Sequence, residues 1–261
     1  MKRGVFGVAK KVLAVRKSDV DNLSRKVLAV RKSDVDNLSN LLRSSDEFSL
    51  ITENRKYYLT SSRWESLTNT SDVLSEATKL LEYISAVAMI YFPGFPRLES
   101  DKICEVDEKG KRHNRVELLV KILRGLDSFS IQLEGGQDII PILEFDSWRK
   151  LAKEDEIVKD VFRQFREFEH TWINLYKIYE IVEKNAGKIN KKIDRIEEWI
   201  TKKKISQFTQ TANSRRAIGD DARHGVHDKH PPKEPMSLSE AQALIRNLLK
   251  QWLQWKCEQQ K

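Results

Sequence analysis

The chain has 261 residues, of which 33% are charged and 39% are hydrophobic, and its formal net charge at pH 7 is +8. This length allows one large domain or two small ones with a sizeable core. With only 10 glycines and 6 prolines, the composition favours a helical protein over a β-sandwich or a β-barrel. No apolar run reaches the roughly 18 residues that span a bilayer, so the sequence predicts no membrane partner.

The two cysteines, Cys104 and Cys257, are far apart in the sequence and form neither a disulfide framework nor a metal-type pair. A reducing, cytoplasmic location is therefore the expectation. The chain also has no P-loop, no Rossmann fingerprint and no Gly-x-Ser-x-Gly motif. We accordingly predict no cofactor.

The positive charge is concentrated in residues 1–43, which contain 11 lysines or arginines against 4 acidic residues. The same segment carries a tandem repeat, because residues 11–24 (KVLAVRKSDVDNLS) recur unchanged at residues 26–39. Because a 15-residue period does not match a whole number of α-helical turns, the apolar side chains of the two copies would not stay on one face of a straight helix. Three interpretations remain: a disordered segment or lone solvated helix, an extension foreign to the natural protein, or an arm that binds nucleic acid or a membrane surface.

An α+β domain is predicted for residues 44–140. Thr70-Ser-Asp precedes a predicted helix whose apolar residues, from Val73 onward, recur at intervals of three and four. Residues 103–106 and 116–123 read as two strands joined by a Gly-containing turn, which predicts a β-hairpin. Residues 48–63 show no clear pattern.

A helical domain is predicted for residues 141–261. Its first helix covers residues 145–152. An apolar stripe with a period of 3.6 residues then runs through residues 157–182. This stripe predicts one long helix, for which Gly187 is the C-terminal stop signal.

Two more helices complete the predicted bundle. The first covers residues 189–205, with the lysines at 202–204 near its C-terminal end, where cations suit the helix dipole. The last begins at Ser237, which forms a capping box with Glu240. The predicted fold class is mainly α, with a C-terminal helical bundle and a smaller α+β N-terminal region that contains a β-hairpin.

The densest group of chemically active side chains contains Arg223, His224 and His230. Cleavage of RNA without a metal requires a base for the 2′-hydroxyl, an acid for the leaving oxygen and a cation for the phosphorane charge. Histidine titrates near neutral pH and can serve as both base and acid. The arginine fork fits phosphate oxygens. This segment is therefore the candidate catalytic site.

The spacing of Arg223 and His230, with a polar residue directly after the arginine, resembles the Arg-x(4–6)-His motif of HEPN domains. The resemblance covers residues 145–255 in helical character and residues 223–230 in motif. It implies a helical bundle of toxin or defence type that cuts RNA without a metal, usually from a composite site in a homodimer. It further implies that Arg223 stabilises the phosphorane and that His230, assisted by His224, transfers protons.

Two features depart from the HEPN pattern. Gly225 lies inside the motif and Pro231 follows it directly, so this segment is predicted to be a loop and not the start of a helix. The longer run at residues 208–236 also resembles bacterial proteins of unknown function, and that likeness implies no activity.

A metal site is the second interpretation of the same loop. His224, His227 and His230 are spaced by three residues, and nearby aspartates could add oxygen ligands. Gly225 and the two prolines argue against the helix that would align the histidines, and no matching Cys/His pair occurs elsewhere. We therefore predict no bound metal.

A structural loop is the third interpretation. In it, Asp220 and Asp221 form ion pairs with Arg215, Arg216 or Arg223, and the histidines are solvated. The aromatic residues Trp172, Tyr176 and Tyr179 fall at helical spacing and are predicted to be core side chains, not a platform for stacking bases.

The functional prediction is an RNA-binding or metal-independent RNA-cleaving protein. Four cations are the candidate RNA contacts: Arg215, Arg216, Lys191 and Lys192. The alternative is a non-catalytic helical interaction module in which the His/Arg loop is structural.

Overall fold

The computed structural model describes residues 27–28, 32–43, 45, 47–53, 56–67, 69–106, 112–121, 144–167, 169–189, 194–223 and 232–260. The predicted domain boundary near residue 141 lies outside these residues. So do five of the candidate site residues: His224, His227, His230, Lys191 and Lys192.

Five antiparallel strands form one sheet within the described part of the chain. They are β1 (Val27–Leu28), β2 (Phe48–Glu53), β3 (Lys56–Ser61), β4 (Arg97–Val106) and β5 (Arg112–Lys121). Strand β4 pairs along one edge of β5, while β3 and the short β1 pair with the other edge, and β2 continues the sheet beyond β3. The predicted hairpin is confirmed as β4 and β5, which are longer than the sequence indicated.

The hairpin of β2 and β3 was not predicted. Its register places Ser49 opposite Thr60, and their hydroxyl oxygens lie 2.9 Å apart. Phe48 and Leu59 are both buried against the core. Each strand is only six residues long and the apolar and polar residues alternate too briefly to give a clear signal.

The second copy of the tandem repeat contributes most of helix α1 (Lys32–Leu42). Val35 and Leu38 from this copy, with the following Leu41 and Leu42, are buried. The helix packs against β2 and against α2 (Thr70–Tyr91). A lone solvated helix is therefore wrong for this copy, because four aliphatic side chains leave water when α1 packs. The first copy lies outside the described residues.

Helix α2 is the centre of the fold. Asn69 caps its N-terminus, where the side-chain oxygen accepts a hydrogen bond from the Ser71 N–H at 3.0 Å. Residues 83–90 of α2, apart from Ser85, contribute apolar side chains that are all buried. One side of α2 packs on β4 and another on the C-terminal helices, so one apolar cluster includes both.

Seven helices make up the described C-terminal part. They are α3 (Glu144–Glu154), α4 (Glu156–Glu167), α5 (Trp172–Ala186), α6 (Ile196–Trp199), α7 (Lys202–Asn213), α8 (Arg215–Ile218) and α9 (Leu238–Gln259). Helix α9 packs against α2, α3 and α5 and is the long central helix of this bundle. The predicted capping box is confirmed, since Ser237 and Glu240 exchange the expected hydrogen bonds.

The long helix predicted for residues 157–182 is instead two helices, α4 and α5. Gly187 ends α5 as predicted, with φ at 66°. The apolar stripe does not reveal the break, because Phe165 and Trp172 are seven residues apart, which is two helical turns. Both side chains are buried, so the hydrophobic phase continues across the interruption.

The helix predicted for residues 189–205 is also wrong. Ile200 is extended, with φ −139° and ψ 131°, and it separates the four-residue α6 from α7. The lysines at 202–204 therefore lie in the first turn of α7 and not at a helix C-terminus. Cations are unfavourable at this end of the helix dipole, and the first turn of α7 contains no acidic residue.

His170 lies in the connection between α4 and α5. Its Nε2 donates a hydrogen bond to the Phe165 carbonyl oxygen at 2.8 Å, and its ring stacks on Phe165 with centroids 4.2 Å apart. Burial lowers the pKa of His170, and the Arg246 charge adds to this, although the Phe165 hydrogen bond acts in the opposite direction. The lowered pKa therefore favours the neutral form of the imidazole in the folded protein at neutral pH.

We expect the protein to lose stability as the pH falls from about 6.5, the usual histidine pKa, toward the lower pKa of folded His170. In that window the unfolded chain binds a proton that the folded chain does not. One such group changes the free energy of unfolding by at most about 1.4 kcal/mol per pH unit. Urea unfolding across this window, compared with His170→Gln, measures the contribution. Identical pH dependence in the two proteins would contradict this assignment.

The fold class is mainly α, with a C-terminal helical bundle and an α+β N-terminal region, as the sequence predicted. The hairpin in that region belongs to a larger sheet. No helix among the described residues combines the length and the apolar character needed to cross a membrane.

Candidate functional site

The candidate site lies where the chain reverses after α7. Gly219, with φ at 65°, ends the short helix α8 and leads into a single 3₁₀ turn. The N–H of Arg223 then donates a hydrogen bond to the Ala212 carbonyl oxygen at 2.9 Å. This bond fixes the backbone of Arg223 beside the C-terminal end of α7.

An aromatic cluster joins α5 to α7 and forms the base of the site. Phe208 is fully buried, and its ring centroid lies 6.1 Å from Trp172, 5.9 Å from Tyr176 and 5.5 Å from Tyr179. All three partners are buried, so the prediction that they are core side chains is confirmed. The cluster is a rigid support for the polar residues that surround it.

Arg223 is docked on the surface of α5. Its Nη2 lies 2.8 Å from Oε1 of Glu180, and its Cζ lies 4.5 Å from the centroid of the Tyr176 ring. About a third of the Arg223 side chain remains exposed (35%), as does 43% of Glu180. The guanidinium is therefore oriented by an ion pair and a cation–π contact, and it is still accessible from solvent.

The other two predicted arginines lie close to Arg223 in sequence, on α8. Arg215 pairs with Asp220 at 2.6 Å, as the structural interpretation of the loop predicted. Arg216 is exposed. Arg223 does not follow that interpretation. Among the described residues its ion-pair partner is Glu180, and not Asp220 or Asp221.

A buried polar junction lies between α7 and α8. The Asn213 amide nitrogen donates to the Thr209 carbonyl at 2.8 Å and to the Tyr176 hydroxyl at 3.3 Å. Ser214 is 1% exposed, and within the described residues its hydroxyl and the Asn213 side-chain oxygen have no hydrogen-bond partner. The Asn213 amide therefore links the end of α7 to Tyr176, the residue on whose ring Arg223 is stacked.

Tyr179 is unsuited to act as a base in this site. Burial raises the pKa of its hydroxyl, and the hydrogen bond that it donates to Glu183 at 2.5 Å raises the pKa further. The hydroxyl therefore keeps its proton. Its role is to anchor the aromatic cluster.

Residues 224–231, which we call the histidine loop after their predicted conformation, lie outside the described residues, but both described ends of this segment are attached to α7. Arg223 binds the Ala212 carbonyl near the C-terminal end of the helix. After the loop, the Gln207 side chain donates to the Glu234 carbonyl at 3.0 Å, and the Met236 N–H donates to the Thr211 hydroxyl at 3.0 Å. The positions of His224 and His230 relative to Arg223 lie outside the described residues, as do those of Lys191 and Lys192.

Glu180 is the feature of the site that the sequence analysis missed. It lies 43 residues before Arg223 and belongs to no motif, so only the packing of α5 against α7 brings the two together. In the part of the chain that the structure describes, no group of three His, Cys, Asp or Glu side chains is placed to hold a metal ion.

Comparison with known proteins adds no relative to this description. No family model matches the chain, and no curated protein or solved structure matches it.

Proposed function

We propose that this protein binds RNA and cleaves it without a metal at a site formed by Arg223 and the histidine loop. The observation that carries the proposal is the placement of Arg223. It is oriented by Glu180 and Tyr176, and about a third of its side chain is exposed. In sequence it directly precedes His224 and lies seven residues before His230. A pre-oriented guanidinium at the surface suits the stabilisation of a phosphorane.

The charges along α7 support an RNA-binding surface. Lysines 202, 203 and 204 are all exposed in its first turn, and Arg216 is exposed just beyond its last turn. The helix has 12 residues and is therefore roughly 18 Å long, with exposed lysines in its first turn. These lysines and Arg216 can contact RNA phosphates, and no acidic residue in the first turn of α7 opposes this.

The proposed roles follow from the chemistry of each group. Arg223 would exchange its exposed ion pair with Glu180 for phosphate oxygens, because such a surface pair contributes only about 0–1 kcal/mol. His230, assisted by His224, would accept the 2′-hydroxyl proton and protonate the leaving oxygen. The composite site that the HEPN resemblance implies would need two copies of the chain.

The test is cleavage of total RNA in the presence of EDTA. We expect Arg223→Lys and His230→Ala each to reduce the rate by at least about 100-fold, since each removes a group needed in the transition state. Arg163→Ala is the matched control, because Arg163 is also a surface arginine in an ion pair, with Asp160 on α4. The control should retain the rate of the unchanged protein.

Glu180→Gln separates catalysis from structural support. If Arg223 acts on phosphate, this variant should keep cleaving RNA, because only the resting partner of the arginine is removed. If Arg223 merely braces the loop against α5, Glu180→Gln and Arg223→Lys should have similar effects, and that result would contradict the catalytic role. Thermal unfolding of each variant shows whether the fold is retained.

The second candidate function is a non-catalytic interaction module. The ion pair between Arg223 and Glu180 favours it, because it already satisfies part of the charge that catalysis would require. Absence of any RNA cleavage by the unchanged protein, with or without EDTA, would support this function and reject the nuclease proposal. Analytical ultracentrifugation with and without RNA then distinguishes self-association from RNA binding.

A further inference from the structure

A second group of cations lies far from Arg223 in sequence, on α3 and the segments beside it. An open depression of about 360 Å³ is lined by four cations and two acids: Arg63, Arg149, Lys150, Lys153, Glu47 and Asp146. We call it the α3 basic depression. Its six ionisable side chains give a formal charge of +2, and neither the sequence motifs nor the proposed nuclease site accounts for it.

Glu47 holds the two arginines of the depression in place. The guanidinium of Arg149 donates to both Glu47 oxygens, at 2.7 and 3.1 Å, and Nε of Arg63 lies 3.0 Å from Glu47 Oε1. Arg149 is additionally stacked on Phe48, with its Cζ 4.4 Å from the ring centroid. The Arg149 guanidinium is therefore ordered before any ligand arrives, which lowers the entropic cost of binding, and Arg63 is directed toward it by the shared carboxylate.

Glu47 compensates these cations only in part. Burial acts to raise the pKa of Glu47, but the Arg149 hydrogen bond and the charges of Arg149, Arg63 and Lys153 outweigh it and lower the pKa. One permanent carboxylate is thus shared between two arginines. The ion pair uses Nε of Arg63, which leaves the two terminal nitrogens of that guanidinium outside this contact.

The excess positive charge in the depression affects the pKa of Lys153. Burial lowers the pKa of its amine, and the nearby charges of Arg149 and Arg63 lower it further, while Glu47 and Glu76 oppose the change. A bound anion would relieve this repulsion. Since the depression is open and its lysines are exposed, an anion can reach it from solvent.

We propose that the α3 basic depression binds a dianionic phosphate group, either free or as a small phosphomonoester, through Arg63, Arg149 and Lys153. The charge of a dianion matches the formal +2 of the lining. The terminal nitrogens of Arg63, which lie outside its contact with Glu47, fit the oxygens of phosphate, and Lys153 adds a compact positive charge. Arg149 keeps its pair with Glu47 and contributes positive charge beside the anion. The volume accommodates the phosphate with a small attached group, since ligand sites commonly start near 300 Å³.

Isothermal titration of the full chain with inorganic phosphate and, separately, with AMP tests this proposal. We expect saturable binding of at least one of them and none of adenosine, which has the same base and sugar as AMP but no phosphate. Tighter binding of AMP would identify a phosphomonoester as the ligand form, and tighter binding of inorganic phosphate would identify the free ion. No saturable binding of either compound would overturn the proposal.

Charge variants locate the binding within the depression. Lys153→Gln and Arg63→Gln should each weaken it about tenfold, because each removes one charged hydrogen-bond donor. Asp146→Asn should strengthen it, since this change removes an acid from the lining. Lys159→Gln is the matched control, an exposed lysine on α4 outside the depression. Equal affinities for Lys153→Gln, Arg63→Gln and the control would overturn the assignment.

NMR titration of the Lys153 amine gives an independent readout. Phosphate should raise the Lys153 pKa toward its usual value, because the bound anion offsets the charges of Arg149 and Arg63. Arg223→Lys should leave phosphate binding here unchanged. Phosphate binding at the α3 basic depression and RNA cleavage at Arg223 can therefore be disproved separately.

Discussion

Replacement of Trp252 by alanine is expected to lower the free energy of unfolding by about 3–5 kcal/mol. Trp252 on α9 is completely buried, and its indole N–H donates to the Asn185 side-chain oxygen on α5 at 3.0 Å. Truncation would leave a cavity between the two helices and deprive the Asn185 oxygen of its partner. Both effects destabilise the same helix–helix interface.

Trp255→Ala is the matched control for that experiment. Trp255 is on the same helix, three residues later, but it is only partly buried, against Trp199 with ring centroids 5.9 Å apart and against Arg195. Its truncation should cost clearly less, about 1–2 kcal/mol, because less apolar area is returned to water. Denaturant unfolding measures both variants. Equal losses would show that α9 does not bury Trp252 as described.

Leu38→Ala is expected to lower the free energy of unfolding by about 2–5 kcal/mol. Leu38 is 1% exposed on α1 and packs in the apolar cluster with Leu41 and Leu42. The result would establish that the second copy of the tandem repeat is part of the folded protein. A basic segment foreign to the natural protein would show no such loss.

The tandem repeat supplies its own control, since Leu23 occupies the position in the first copy that Leu38 occupies in the second. The first copy cannot take the place of α1, because Lys26 stands where the fully buried Leu41 would be required. We therefore expect Leu38→Ala, and not Leu23→Ala, to remove the packing of α1. A loss of stability from Leu23→Ala with none from Leu38→Ala would contradict the assignment of α1 to the second copy.

The candidate site also depends on the core. Arg223 is positioned by Tyr176, which is stacked on Phe208 within the interface of α5 and α7. The stability of that interface and the orientation of the guanidinium are consequently linked. Each test of the Arg223 side chain therefore requires a parallel measurement of unfolding.

Local signals in the sequence predicted several elements correctly. The capping box at Ser237, the C-terminal stop at Gly187 and the β4–β5 hairpin each depend on interactions between residues close in the chain. The failed prediction of one helix over residues 157–182 has a clear cause. The apolar phase continues from α4 into α5, so periodicity records which residues are buried but not whether the backbone between them is helical.

The sequence by itself determined the mainly helical class, the excess positive charge near the N-terminus and the spacing of Arg223 and His230. Only the tertiary structure decided that Val35 and Leu38 of the second repeat copy are buried, that Glu180 pairs with Arg223, and that Glu47 pairs with Arg149 and Arg63. These ion pairs join residues between 16 and 102 positions apart. Such contacts arise from helix and sheet packing, which no local pattern of residues encodes.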